Sequence, residues 1–328
     1  MFKKVLAPLF ILSIALFMIT GCGDDSATEP TPVNEFDLVA AVGDVYFTEY
    51  TTASGGVNAL IGDVFDVLST DANAYYIIDY RSDTDFDAGH IIGANNMTLA
   101  GLAENFDNLP TDKPILNVCY SGQTASVATA VLNMLGFDAL NLKWGMCGVD
   151  TSISGSQKWL TRIEADEQAD LETDVNTTTT TYSFPDPDTD KSSAEDIIKD
   201  RFATKVAPGW PNIEADLVWD NADDYFIINY WPEAHYLNPG HIPGSYQFTP
   251  NISLEKDEML NLLPTDKTIV VYCYTGQTSA QVATYLTILG YEAKSLLYGT
   301  NGFAYNAPGY EAARYTAPEP GIYDSILE

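Results

Sequence analysis

Cys119-Tyr120-Ser121-Gly122-Gln123-Thr124 recurs as Cys273-Tyr274-Thr275-Gly276-Gln277-Thr278, so one short motif is written twice in this chain. Each copy follows an apolar run that reads as a buried strand, Ile115-Leu116-Asn117-Val118 in the first and Ile269-Val270-Val271-Tyr272 in the second. Each precedes a helix-like segment, residues 125–135 and 279–289. A cysteine between a strand and a helix N-terminus meets unpaired backbone N–H groups and the positive end of a helix dipole. That setting is expected to lower the thiol pKa and favour the nucleophilic thiolate.

The repeat extends outward from the two loops. Tyr75-Tyr76-Ile77-Ile78-Asp79-Tyr80-Arg81 aligns with Tyr225-Phe226-Ile227-Ile228-Asn229-Tyr230-Trp231, and Gly89-His90-Ile91-Ile92-Gly93 with Gly240-His241-Ile242-Pro243-Gly244. Short apolar strands alternating with helical segments predict an α/β fold in each copy, a parallel β-sheet flanked by helices on both faces. Such sheets carry their functional loops at the carboxyl ends of the strands, where both cysteine loops fall. The repeat places domain one at residues 35–162 and domain two at 193–314, a length sufficient for two separate cores. Residues 163–192, with a threonine run at 177–181 and Pro185-Asp186-Pro187-Asp188, read as an acidic linker, and residues 315–328 as an extended acidic tail.

The N-terminus reads as a targeting segment. Lys3 and Lys4 precede an apolar stretch at residues 5–19 that is short for a membrane span, and Ile19-Thr20-Gly21-Cys22 follows. This resembles a bacterial lipoprotein signal: residues 1–21 would be removed, Cys22 lipidated, and 22–34 left as a flexible tether. The expected location is the bacterial cell envelope, lipid-anchored at a periplasmic or outer-membrane face, with the membrane met only through the anchor.

With 15 basic and 46 acidic residues the formal net charge is −31, which makes nucleic acid and anionic headgroups poor partners and reads first as a solvated surface, with a basic or redox partner protein or solubility in a salty medium as the alternatives. Four cysteines, one assigned to lipid, leave Cys119, Cys147 and Cys273; the odd number excludes a disulfide scaffold and leaves at least one thiol unpaired in the monomer. The three histidines, His90, His235 and His241, show no metal-ligand spacing, so neither metal nor other cofactor is expected, and His90 and His241 read as structural turn residues.

Taken in order and twice over, these motifs resemble the rhodanese family in tandem across nearly all of the chain after the signal. The matching elements are Asp79-Tyr80-Arg81 at a strand end, the Gly-His-Ile turns, the cysteine loops, and Trp144-Gly145-Met146, which echoes a Gly-Gly-Met turn after the last strand. The resemblance implies a sulfurtransferase in which Cys119 and Cys273 take sulfane sulfur as persulfides from polysulfide, persulfide or thiosulfate donors and pass it to a thiol acceptor. Backbone N–H groups of the loops, with Tyr120, Ser121, Gly122, Gln123, Thr124, Tyr274, Thr275, Gly276, Gln277 and Thr278, would hold the substrate, with Asp79 and Arg81 in support. Tyr120 and Tyr274 read equally as packing residues.

Departures from the pattern refine the expectation. Asn229 and Trp231 replace the Asp and Arg in copy two, and neither cysteine loop contains a basic residue. Gln123, Thr124, Gln277 and Thr278 can hydrogen-bond a donor but not neutralise a dianion, so polysulfide and organic persulfides are expected ahead of thiosulfate. Repulsion of anions by the acidic surface reaches only about 8 Å at physiological salt. The missing loop arginine also argues against phosphatase chemistry. Two other classes stay open: a carrier for sulfur or another chalcogen without rapid turnover, and a thiol-redox protein. For the latter, the resemblance puts the strand before Cys147 beside that bearing Cys119, so Cys147 would act as a resolving thiol; the alternative is a buried filler where copy two has Asn301.

Overall fold

The computed structural model describes residues 34–49, 56–163 and 170–328; the signal segment, Cys22 and all of the tether but Asn34 lie outside the described residues. The first half runs α1 (Glu35–Glu49), β1 (Asn58–Ala59), α2 (Ile61–Thr70), β2 (Tyr76–Asp79), α3 (Asp83–Asp87), β3 (Asn95–Asn96), α4 (Leu99–Asn105), β4 (Ile115–Val118), α5 (Gln123–Met134) and β5 (Ala139–Leu142). The second runs α6 (Ala194–Arg201), β6 (Asn212–Ile213), α7 (Ala215–Asp220), β7 (Phe226–Asn229), α8 (Glu233–Leu237), β8 (Tyr246–Gln247), β9 (Ile269–Tyr272), α9 (Gln277–Leu289) and β10 (Ala293–Leu296). Each half folds its strands into a five-stranded sheet, in the orders β1-β5-β4-β2-β3 and β6-β10-β9-β7-β8. All pairings are parallel, with Leu116 opposite Ile77 and Leu140 in the first sheet and Val270 opposite Ile227 and Lys294 in the second. Among the described residues no helix is long and apolar enough to cross a membrane.

Successive strand residues face opposite sides of a sheet, which accounts for the uninterrupted apolar runs. Ile77, Leu116 and Leu142 pack outward on Val64 and Leu68 of α2, while Ile78 and Ile115 face inward. In the second half Ile227, Val270 and Leu296 pack on Val218 of α7, while Ile228, Ile269 and Val271 face inward. The two inward faces meet in one continuous apolar cluster built from α1, α5, α6 and α9. The two halves are therefore layered helix, sheet, shared helices, sheet, helix. Two separate cores were expected from length alone; the halves instead close one inner core between them, because α5 and α9 are buried along almost their whole lengths and pack on each other.

The segments that follow each half cross to the other. Glu172 bridges antiparallel to His241, and its carboxylate accepts from Gly244 N (2.8 Å). At the C-terminus Leu327 bridges to Ile91, and the Glu328 carboxylate accepts from Gly93 N (3.1 Å). Thus each Gly-His-Ile turn is covered by the chain leaving the opposite half. Residues 171–192 contain no helix or regular strand, yet Phe184 stacks on Phe36 at 4.3 Å and the Glu35 carboxylate accepts from the Thr189 and Lys191 N–H groups.

Candidate functional site

In both halves the strand ends one residue before the cysteine and the helix starts at the glutamine, two residues ahead of the sequence expectation. The turn is made by Gly122 (φ 83°) and Gly276 (φ 72°), in a left-handed conformation that favours glycine. First-turn N–H groups, which have no partner inside a helix, then point at sulfur. Gly122 N and Ala125 N lie 3.2 and 3.3 Å from Cys119 Sγ. In the second loop Ser279 N lies 3.4 Å from Cys273 Sγ, and the thiol is 3.5 Å from Ser279 Oγ, a hydroxyl that copy one lacks.

A second glycine clamps each loop from behind. Gly145 (φ 58°) and Gly299 (φ 55°) follow β5 and β10, and a Cβ at either position would collide with the carbonyl oxygen of Cys119 or Cys273. Those carbonyls accept from Met146 N (2.8 Å) and Thr300 N (3.1 Å). The turn that echoed Gly-Gly-Met is thus a backbone clamp on the cysteine.

The expected lowering of the thiol pKa is corrected for Cys119. Burial pushes that thiol up, and the N–H groups of Ala125, Ser121 and Gly122 offset the rise only in part. At 2% exposure the sulfur has lost more solvation than three partial dipoles restore. Cys147 is also pushed up by burial, to about 11. Cys119, Cys147 and Cys273 are all free thiols, and Cys147 packs with Trp159 and Tyr315 in an aromatic cluster separate from the core that holds Cys119.

Gln123 and Gln277 are occupied in joining the halves. Gln123 Oε1 accepts from Tyr298 N (2.8 Å) while its Nε2 donates to Ser121 Oγ (3.0 Å). Gln277 Oε1 reciprocally accepts from Asn141 Nδ2 (2.9 Å) and Trp144 N (3.3 Å). Tyr298 and Trp144 hold left-handed φ values of 62° and 71°, a strain of about 1–3 kcal/mol each that these contacts help to hold. Thr124 is half-buried, whereas Thr278 and Thr275 line a cavity at Cys273.

Tyr120 is tied down: its hydroxyl donates to Asp85 (2.6 Å) and accepts from Ser82 N (3.0 Å). Gly155 presses against the Tyr120 ring, and the Trp159 indole donates to Ser121 O (3.1 Å), so residues after β5 cover the first loop. Tyr274 instead stacks on Trp231 (4.8 Å) and bonds His235 Nδ1 through its hydroxyl. Asp79 and Arg81 form a buried bidentate ion pair (2.8 Å), and Arg81 also reaches Gly89 O (2.7 Å), joining the end of β2 to the Gly-His-Ile turn. In copy two Asn229 donates to Tyr272 (2.8 Å), which replaces the ion pair by a neutral bond.

Beside Cys273 lies a cavity of about 380 Å³. Its walls come from both halves: Tyr274, Thr275 and Trp231 from the second, and Asn58, Leu60 and Lys143 from the first. Sequence reasoning confined to the loops found no cation for this site. The signal was Lys143 itself, a charge ending a buried parallel strand at the position where copy two has Leu297.

The Rhodanese-like domain family matches residues 65–150 and 214–306. Thiosulfate sulfurtransferase GlpE of Shewanella oneidensis is 36% identical over 72 residues, which is 22% of this chain and 71% of that protein. The uncharacterized protein YqhL of Bacillus subtilis is 31% identical over 90 residues, 27% of this chain and 64% of its own. Among solved structures, a thiosulfate sulfurtransferase from Pseudomonas aeruginosa aligns over 88% of this chain and 50% of its own, at 18% identity and a TM-score of 0.30. With the family matching twice, once around each cysteine loop, this chain belongs to the rhodanese-like family as a tandem of two such domains.

Proposed function

We propose that this protein is a sulfurtransferase, exported and held at the cell envelope through a lipidated Cys22, with Cys273 as its principal working thiol. The observation that carries the reading is a cysteine in a strand-to-helix turn, 3.4 Å from the Ser279 N–H and opening on a cavity of about 380 Å³. The Cys273 thiolate attacks the sulfane sulfur of a donor, whose S–S bond breaks; the donor leaves as a thiolate or sulfite and Cys273 carries the persulfide. An acceptor thiolate then removes the outer sulfur and regenerates the Cys273 thiolate. The Ser279 N–H, aimed at the sulfur, stabilises negative charge there throughout.

A second reading fits the first loop. Cys119 is covered by the Tyr120 and Trp159 contacts and its pKa is raised by burial, which favours slow exchange and storage of sulfur over turnover. Intact mass of the reduced full chain, exposed separately to polysulfide and thiosulfate, tests both. The expected result is one added sulfur quickly on Cys273 and one slowly on Cys119, each lost in the Cys273→Ser or Cys119→Ser variant and discharged by a small thiol. No sulfur on either free thiol from either donor would overturn the sulfurtransferase reading. In the same spectra, chain extracted from membranes must carry acyl groups on Cys22, or the anchor proposal fails.

A further inference from the structure

Lys143 occupies an unusual place. It follows β5 of the first half, its N–H donates to Ala59 O (2.9 Å), and its side chain lines the cavity that contains Cys273 of the second half. Its ammonium lies 5.0 Å from the Trp144 ring centroid, and among the described residues no carboxylate pairs with it. Burial pushes its pKa down with no anionic neighbour to oppose the shift. In a chain of net charge −31, a half-buried lysine without an acidic partner, facing a cavity, is a cation held for something that enters.

The cavity's size and walls narrow what that is. Its volume of about 380 Å³ exceeds what a bare inorganic oxyanion fills and lies in the range, about 300–1,000 Å³, of sites for small organic ligands. Tyr230, Trp231, Tyr274, Leu60 and Pro250 supply apolar wall, with Cys273 in the lining and Lys143 provided by the other half. We infer that Lys143 is the specificity residue of the Cys273 site in trans, and that the donor is a small organic persulfide bearing a carboxylate. The carboxylate pairs with Lys143 while the sulfane sulfur meets Cys273. This rests on the sulfurtransferase reading and deepens it. The missing loop cation is supplied from the opposite half, so the site exists only when the halves are assembled.

The reaction balances without a further reagent. The Cys273 thiolate attacks the terminal sulfur of R–S–SH, the S–S bond of the donor breaks, Cys273–S–SH forms, and R–S⁻ leaves with the electron pair. The terminal proton stays on the transferred sulfur, and one negative charge is present on each side. Lys143 acts on the far end of R and takes no part in the bond exchange.

The test compares glutathione persulfide with its diethyl ester, which has the same S–S bond and no carboxylate. Sulfur loading of Cys273 is followed by mass on the full chain, for wild type, Lys143→Gln and Lys143→Arg. A charge-assisted contact predicts that Lys143→Gln slows loading from the acid by about tenfold or more, leaves the ester within about twofold, and is largely rescued by Lys143→Arg. Unchanged ester loading also shows that the variant is folded. An equal loss with both donors, no loss with either, or a wild type whose apparent KM does not favour the acid overturns the inference while leaving sulfurtransfer standing. Failure of wild-type Cys273 to load from any donor overturns both.

Discussion

Replacing Gln123 by methionine removes one acceptor at the seam of the two halves while keeping side-chain volume, so the cavity cost is small. The Tyr298 N–H, 2.8 Å from Gln123 Oε1, is left buried without a partner, and Ser121 Oγ loses its donor at 3.0 Å. An orphaned buried donor costs about 1–3 kcal/mol, so Gln123→Met should lower unfolding free energy by about 2 kcal/mol, or roughly 30-fold in the folded-to-unfolded ratio. Gln277→Met is not its mirror image. Trp144 N sits at a longer 3.3 Å, Asn141 Nδ2 keeps Asn58 Oδ1 at 2.8 Å, and the substitution also removes Gln277 Nε2, which is buried without a partner among the described residues. Gains and losses nearly cancel, and the expected cost is below about 1 kcal/mol. Urea unfolding followed by the fluorescence of Trp144 and Trp159, both packed near the seam, measures each. Equal costs for the two variants, or a larger one for Gln277→Met, would refute the reasoning.

Two further outcomes are expected. Gly299→Ala must place a Cβ against the Cys273 carbonyl at φ 55°, costing about 1–2 kcal/mol of left-handed strain and displacing the loop. A shift on the order of 1 Å predicts a rate loss on the order of 100-fold in Cys273 loading with Cys119 spared, and Gly145→Ala the reverse; wild-type loading of Cys273 in Gly299→Ala would sink the clamp argument. His241 is fully buried, and burial lowers its pKa below 6.5 despite the Tyr236 carbonyl and Glu172, which favour the charged ring. The unfolded chain therefore binds the proton first as pH falls, so the stability His241 contributes is present above pH 6.5 and lost below it. Melting temperature against pH should fall less steeply below pH 6.5 in His241→Gln; an acid limb identical to wild type would contradict this.

The cysteine loops were legible because their determinants are local. A four-residue largely apolar run, a cysteine, a glycine immediately before a helix, and a second glycine after the next strand specify the turn by sterics that act within one half. The paired Asp79 and Arg81, two residues apart on one strand end, were legible for the same reason. Less accessible was the net effect on the thiol: motif reasoning counts N–H donors near sulfur, whereas the loss of solvent around Cys119 depends on the whole shared core.

Duplication itself is a property of the chain, and so the two parallel α/β halves, their strand runs and the placement of Cys119 and Cys273 follow from sequence alone, since helix and strand periodicities are short-range. Which residues of one half reach the site of the other is set by how two nearly equal apolar faces pack, a long-range choice that no local pattern encodes. Only the tertiary structure brings Lys143 and Asn58 to the cavity of Cys273, sends Gln123 and Gln277 across the seam instead of towards a substrate, and lays Glu172 and Glu328 on the opposite Gly-His-Ile turns. Burying those faces against each other removes apolar surface from water, and that gain, summed over the whole interface, decides contacts between residues more than a hundred positions apart.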